Sequence, residues 1–348
     1  MYSIAWGGWW YIFDFILAMT GLYLLFHLIT HFSLIKKGIP ELLKVHDIKT
    51  GAIVLATFIS LSGISVTIFN SLDTFIRVPV SSFGFTNLKT PVLQTLWPNV
   101  LTTVAELNEG DLGNVINSIG GTWLFWLGLL GIGLSMLSEN KEGRKYIGSK
   151  DLLFLALTII WYSAILFFWR QIGQTVFLAL LFVPVFYRAY MVYKDKLRVD
   201  LGVAILLSIW FAGTTYASFK GIRFTLLLAP AYSVAFGVFF GIFFYLLLNW
   251  IKETTKLSDL WQTVILVAIF GSFFVIWFWP PGLMYLNGGS IASTAYNIAS
   301  NDVPIINDAW YTSLSKIKAG SQPTAQITSW WDFGHHFKQI ADRPVTFD

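Results

Sequence analysis

The 348-residue chain contains no cysteine. A disulfide framework and a thiolate metal site are both excluded, and the redox compartment leaves no mark on the composition. Charge is scarce as well. Asp, Glu, Lys and Arg make up 12% of the residues, against about 25% in an ordinary soluble domain. The net charge of +4 is mild and matters only through where it falls, so no nucleic-acid partner is expected. There is no basic stretch ahead of the first apolar segment, and hence no sign of a cleavable signal peptide. Met1 leads almost at once into Trp6-Gly7-Gly8-Trp9, which reads as the middle of a membrane protein rather than its beginning.

What is present is apolar. Hydrophobic residues reach 55% and the mean hydropathy is +0.64. Runs of about 20 apolar residues are long enough to cross a bilayer as helices. Eight candidate spans are read, near 9–35, 51–69, 118–137, 152–169, 173–193, 201–218, 224–250 and 260–279. Pro184 and Pro230 fall inside two of them, and neighbouring helices can re-satisfy the freed backbone. The 16 tryptophans suit rings placed at headgroup level. Orientation follows from Lys and Arg. The loops 36–50, 138–151, 188–200 and 251–259 hold more than half of the 23 basic residues, which places them in the cytoplasm. The N-terminus, the loop 70–117, the turns near 170 and 220 and the tail then face outward, and the span parity agrees. A multi-pass protein of the cell membrane with an extracytoplasmic active face is expected.

The expected fold class is an all-α polytopic membrane domain over 1–281, followed over 282–348 by the start of an α/β soluble domain on the outer face. After Pro280-Pro281 the chain turns polar. Asn307-Asp308 ahead of Trp310, Leu314 and Ile317 predicts a short capped helix. Ala325–Ser329 reads as a strand, Trp330–Gly334 as a turn, and His335–Ala341 as a second helix. The chain stops before such a domain could close a core.

The sharpest local pattern is Ser329-Trp330-Trp331-Asp332-Phe333-Gly334. Two indoles offer N–H donors and flat apolar faces, and Asp332 offers an acceptor. Such a pocket could hold a side chain with both a methyl and a hydroxyl, such as Thr. On composition alone, the same aromatics could simply anchor the tail to a membrane surface. In the outer loop, Glu106 closes Thr103-Val104-Ala105-Glu106, with Glu109 and Asp111 nearby reading as solvated carboxylates. Lys220-Gly221-Ile222-Arg223-Phe224 stands at the outer end of a span, where a basic residue is often a snorkelling anchor.

Together these segments resemble the oligosaccharyltransferase catalytic subunits, in particular their archaeal branch. The matching tail signature is Trp330-Trp331-Asp332-Phe333-Gly334-His335 followed by Ile340–Asp348. The resemblance implies transfer of an oligosaccharide from a lipid phosphate or pyrophosphate, of dolichyl-phosphate type, to the Asn amide of an Asn-X-Ser/Thr acceptor protein. It implies that Trp330, Trp331 and Asp332 recognise the Ser/Thr of the acceptor. It implies that Glu106, from a Thr-Ile-x-Glu pattern with Val104 in place of Ile, binds near the acceptor sequon and helps hold Mg²⁺ or Mn²⁺. An amide nitrogen is a poor nucleophile, so a carboxylate must accept its hydrogens while a divalent cation assists the departing phosphate. Tyr216-Ala217-Ser218 through Arg223-Phe224-Thr225-Leu226 resembles the stretch whose arginine contacts the donor phosphate, a role that falls on Arg223, with Lys220 a weaker neighbour.

Ser3–Trp9 is also similar to a family segment that lies well inside the membrane domain. The aspartate of the family's first outer loop and its Asp-x-Asp-like motif have no counterpart here. An incomplete enzyme, inactive as this chain alone, is therefore expected. Asp14, His27 and His31 in the first span are read as structural, His335-His336 as solvated or packed, and Arg170 as an interfacial anchor. The alternatives are a multi-spanning glycosyltransferase with another acceptor, and a transporter. A transporter should place paired charges near the bilayer midplane, whereas this chain keeps its polar residues at span ends and in outer loops.

Overall fold

The computed structural model describes residues 7–80, 107–140, 147–255, 258–278, 296–297, 299–304 and 306–346. It is helical, and two compact units are resolved, Met1–Leu266 and Val267–Asp348.

In the first unit the apolar runs form helices as their length and hydropathy dictate. These are α1 (Trp10–Thr30), α2 (His46–Phe69), α3 (Leu72–Val80), α4 (Leu112–Ile119), α5 (Thr122–Ser135), α6 (Ser149–Phe167), α7 (Gln174–Leu181), α8 (Val183–Asp195), α9 (Leu201–Lys220) and α10 (Thr225–Thr255). A further helix, α11 (Asp259–Phe278), carries the boundary between the units. Among the described residues, six helices or helix pairs are long and apolar enough to cross a membrane, with α7 and α8 counting as one and the short turn before α10 joining it. The chain is thus a polytopic membrane protein.

One expected span differs from the reading. The run near 118–137 is not one straight helix. Gly120 and Gly121 take positive φ angles of 110° and 102°, a conformation that ends a helix and favours glycine. The chain turns by 90° there, between α4 and α5. The 14 residues of α5 extend only about 21 Å, short of the thickness that a straight span needs. The last run, near 260–279, coincides with the 20-residue α11.

The packing separates a central helix from peripheral ones. α9 is the most enclosed of the candidate spans, with Leu207, Ser208, Phe211, Ala212 and Phe219 all buried. It carries apolar residues on every side, as a surrounded helix must. α2 is the opposite case, and leaves Leu61 61% and Ile68 71% exposed, as suits a face turned to lipid. Between α5 and α10 the backbones touch. A Cβ on Gly131 would collide with the carbonyl of Ala235, so only glycine lets these helices meet at that point, the close approach that small residues permit between membrane helices. Phe13 of α1 joins α2 and α3, its ring 5.2 Å from Phe58 and 5.6 Å from Phe75.

The second unit contains α12 (Asp308–Gly320). Asn307 caps it by accepting the Trp310 N–H at 3.1 Å, as its sequence signature predicts. Leu314, Phe337 and Ala341 form a small core with Trp310, Ile317, Phe333 and Val345 around it. The expected strand over Ala325–Ser329 does not form among the described residues. A single parallel bridge joins Ile327 to Val345, and the α/β character of this unit is not shown.

Candidate functional site

The turn between α9 and α10 is held from outside by the segment that follows Glu106. The carbonyl of Asn108 accepts the Ile222 N–H at 3.0 Å. Gly110 lies so close to α9 that a Cβ would come within 2.5 Å of the Ser218 carbonyl oxygen. Asp111, read from sequence as a solvated carboxylate, caps α4 by accepting the Asn114 N–H at 2.7 Å. The stretch Leu107–Ile119 therefore wraps the turn rather than hanging in solvent. Arg223 sits on that turn, in a single 3-10 coil over Ile222–Phe224, and is exposed. It lines a cleft of about 420 Å³ with Ser118 of α4 and Thr225, Leu226 and Ala229 of α10. Lys220 is directed elsewhere. Its ammonium donates to Gln174 Oε1 at the start of α7 and stands 5.9 Å over the Tyr216 ring.

Glu106 itself lies outside the described residues, as do Thr103, Val104 and Ala105. Among the described residues no group of three or more His, Asp or Glu side chains is placed to hold a metal ion. No step can therefore be drawn through one from these residues.

In the second unit the signature residues divide between core and surface. Phe333 stacks on Trp310 with ring centroids 5.2 Å apart, and Gly334 is buried. Trp330 is 58% exposed and donates its indole N–H to Asp332 Oδ2 at 2.8 Å. Asp332 is exposed too, so one indole holds the carboxylate in place at the surface. Trp331 lies on the same 3-10 turn, Trp331–Phe333. Elsewhere in this unit Arg343, 6% exposed, packs on the end of α12. Arg343 donates to the carbonyls of Lys318 and Ser321, the latter at 2.7 Å. A guanidinium on the last carbonyls of α12 satisfies acceptors that the helix leaves open.

The histidines of the first span take structural places. His31 Nδ1 bonds the His27 carbonyl at 3.0 Å, and His27 packs on Tyr23 with centroids 4.5 Å apart. Sequence reasoning missed the role of Arg188, counted there as one of the basic residues of a loop. It lies in α8, wholly buried. It donates to Asp151, and to Ser138 Oγ at 2.8 Å, with its guanidinium 4.9 Å over Phe154. No local pattern marks the pair, because the two residues meet only when α6 and α8 pack.

No family model matches the sequence. Curated relatives do. The chain is 24% identical, over 100% of its length, to a dolichyl-phosphooligosaccharide-protein glycotransferase of Methanococcus voltae. It is 25% identical, over 99% of its length, to the protein of the same name from Methanocaldococcus jannaschii. The resemblance to oligosaccharyltransferase catalytic subunits extends along the whole chain. The chain covers 39% and 36% of those two glycotransferases, so it spans less than half of their length.

Proposed function

We propose that this chain is the part of a membrane oligosaccharyltransferase that seats the phosphate of a lipid-linked oligosaccharide and reads the acceptor, in transfer to the Asn of Asn-X-Ser/Thr proteins. The observation that carries the reading is the docking of Leu107–Gly110 onto the turn that bears Arg223. The docked stretch begins directly after the segment matching Thr-Ile-x-Glu and holds the backbone of the turn that bears the arginine assigned to the donor. The whole-length similarity to two named glycotransferases supports it.

In this reading Arg223 engages phosphate oxygens of a dolichyl-phosphate-type donor, and its fixed positive charge offsets the charge that grows on the leaving phosphate. The acceptor amide nitrogen attacks the anomeric carbon in line. The bond from that carbon to the phosphate oxygen breaks, and the phosphate leaves with the electron pair. Glu106 accepts the amide hydrogens, and a Mg²⁺ or Mn²⁺ bound in part through Glu106 would supply Lewis acidity. Trp330, Trp331 and Asp332 receive the acceptor Ser/Thr, with Asp332 accepting from its hydroxyl. Eight spans in a cell membrane, basic loops in the cytoplasm and an α/β domain begun by the tail complete the proposal. Both sites then face outside the cell, where lipid donor and exported acceptor meet.

The test uses the chain in lipid nanodiscs, with a lipid-linked oligosaccharide and an Asn-X-Thr peptide as separate ligands. Arg223→Ala is expected to weaken donor binding about tenfold or more and to leave peptide binding unchanged. Asp332→Ala is expected to do the reverse. Equal loss of both ligands in either variant, with helicity retained, would overturn the assignment.

A further inference from the structure

The residue beside Arg223 in the cleft has a hydroxyl without work in the fold. Thr225, the first residue of α10, is 4% exposed and lines the cleft. Its Oγ1 makes no hydrogen bond among the described residues. Some buried hydroxyls of the bundle bond back to a carbonyl one turn earlier, as Ser218 does to Thr214 at 2.7 Å, the usual recourse of a helical Ser or Thr. Among the described residues Ser208 and Thr215 of α9 lack a partner as Thr225 does, but neither lines the cleft. Thr225 follows the 3-10 turn, where the Ile222 carbonyl accepts the Thr225 N–H, and its hydroxyl makes no such bond back. A buried hydroxyl left in this way is costly unless something outside the fold accepts its proton.

Two further features of the cleft fix the character of that acceptor. It opens at the N-terminal end of the 31-residue α10, where the aligned peptide dipoles favour negative charge. Its remaining walls include Ile222, Leu226 and Ala229, with Leu226 76% exposed. An anionic oxygen and a hydrocarbon chain are therefore both accommodated within one opening.

We propose that Thr225 is a binding residue for a phosphate carried on a hydrocarbon chain, its hydroxyl donating to a phosphate oxygen that Arg223 also faces. The inference rests on the donor-phosphate reading of Arg223 and adds a second ligand to it. A free phosphate offers the same oxygens but leaves the apolar walls uncovered.

Binding of a fluorescent polyprenyl phosphate to the chain in nanodiscs tests it, with polyprenol and inorganic phosphate as competitors. Thr225→Val keeps the shape and removes the hydroxyl. It is expected to weaken polyprenyl-phosphate binding on the order of tenfold, to leave polyprenol binding unchanged, and to hold or raise the unfolding temperature. Thr225→Ser is expected to restore binding. A Thr225→Val protein that unfolds earlier and is rescued by Ser in stability alone would show a hydroxyl serving the fold, and overturns the inference. Wild-type affinity in Thr225→Val, beside a loss in Arg223→Ala, overturns the role of Thr225 and leaves Arg223 standing. Wild-type affinity in Arg223→Ala overturns the reading of Arg223 itself. Competition by inorganic phosphate at the same concentration as polyprenyl phosphate overturns the lipid source.

Discussion

Arg188 and Arg223 stand at opposite ends of α9 and show two ways to keep a guanidinium in a membrane protein. Arg188 is sealed in, with no exposed surface, against Asp151, Ser138 and Phe154. Ser138 also donates its hydroxyl to Asp151 at 2.9 Å, and the Gly148 N–H reaches the same carboxylate at 3.3 Å. The contacts of Arg188 with Asp151, Phe154 and Ser138 join α8 to α6 and to the segment after α5, so the charge serves packing. Arg223 is exposed on a one-turn coil and lines an open cleft. The contacts around it hold the backbone of its turn, through Asn108 and Gly110. The lesson is that burial of the side chain and fixation of the backbone are separate devices. Arg188 shows the first, and Arg223 the second.

Mutation should separate the two ends. Arg188→Ala leaves the Asp151 carboxylate buried without its cation, and a loss of about 3–5 kcal/mol is expected. Unfolding in a denaturing detergent series measures it, and replacing both partners with apolar residues should recover much of the loss. A wild-type midpoint for Arg188→Ala would remove the packing role. Gly110→Ala comes next. Its Cβ must push the segment off the Ser218 carbonyl, a displacement worth about 1–3 kcal/mol. Amide exchange at Ile222 should speed up as the Asn108 bond opens, and unchanged protection there would mean the docking is not maintained by this contact. The smallest effect on the fold belongs to Arg223→Ala, an exposed position, for which a loss below about 1 kcal/mol is expected. A large shift would make Arg223 another Arg188 and dissolve the contrast.

Some of this was legible from residue types alone. Apolar runs located the helices, because each residue adds to the hydropathy of its own segment without reference to any other. Asn307 announced the cap on α12 because a cap is a contact between residues three apart. The tail signature singled out Trp330, Trp331 and Asp332, and two of the three stand at the surface of their unit. The 90° turn at Gly120-Gly121 was not read, since two glycines permit a positive φ but do not require it. Asp111 passed for a solvated acid, although the Asn114 N–H it accepts is three residues away.

The sequence by itself determined that this is a helical membrane protein, where its helices run, and which residues resemble a glycotransferase. Those properties are sums over neighbouring residues or matches of short strings. Only the tertiary structure decided that Arg188 is buried against Asp151, that the segment after Glu106 grips the turn carrying Arg223, and that Thr225 keeps an unused hydroxyl in the cleft beside it. Each of these depends on which helices pack together. Packing brings together residues distant in the chain, and no local pattern records which of them will meet.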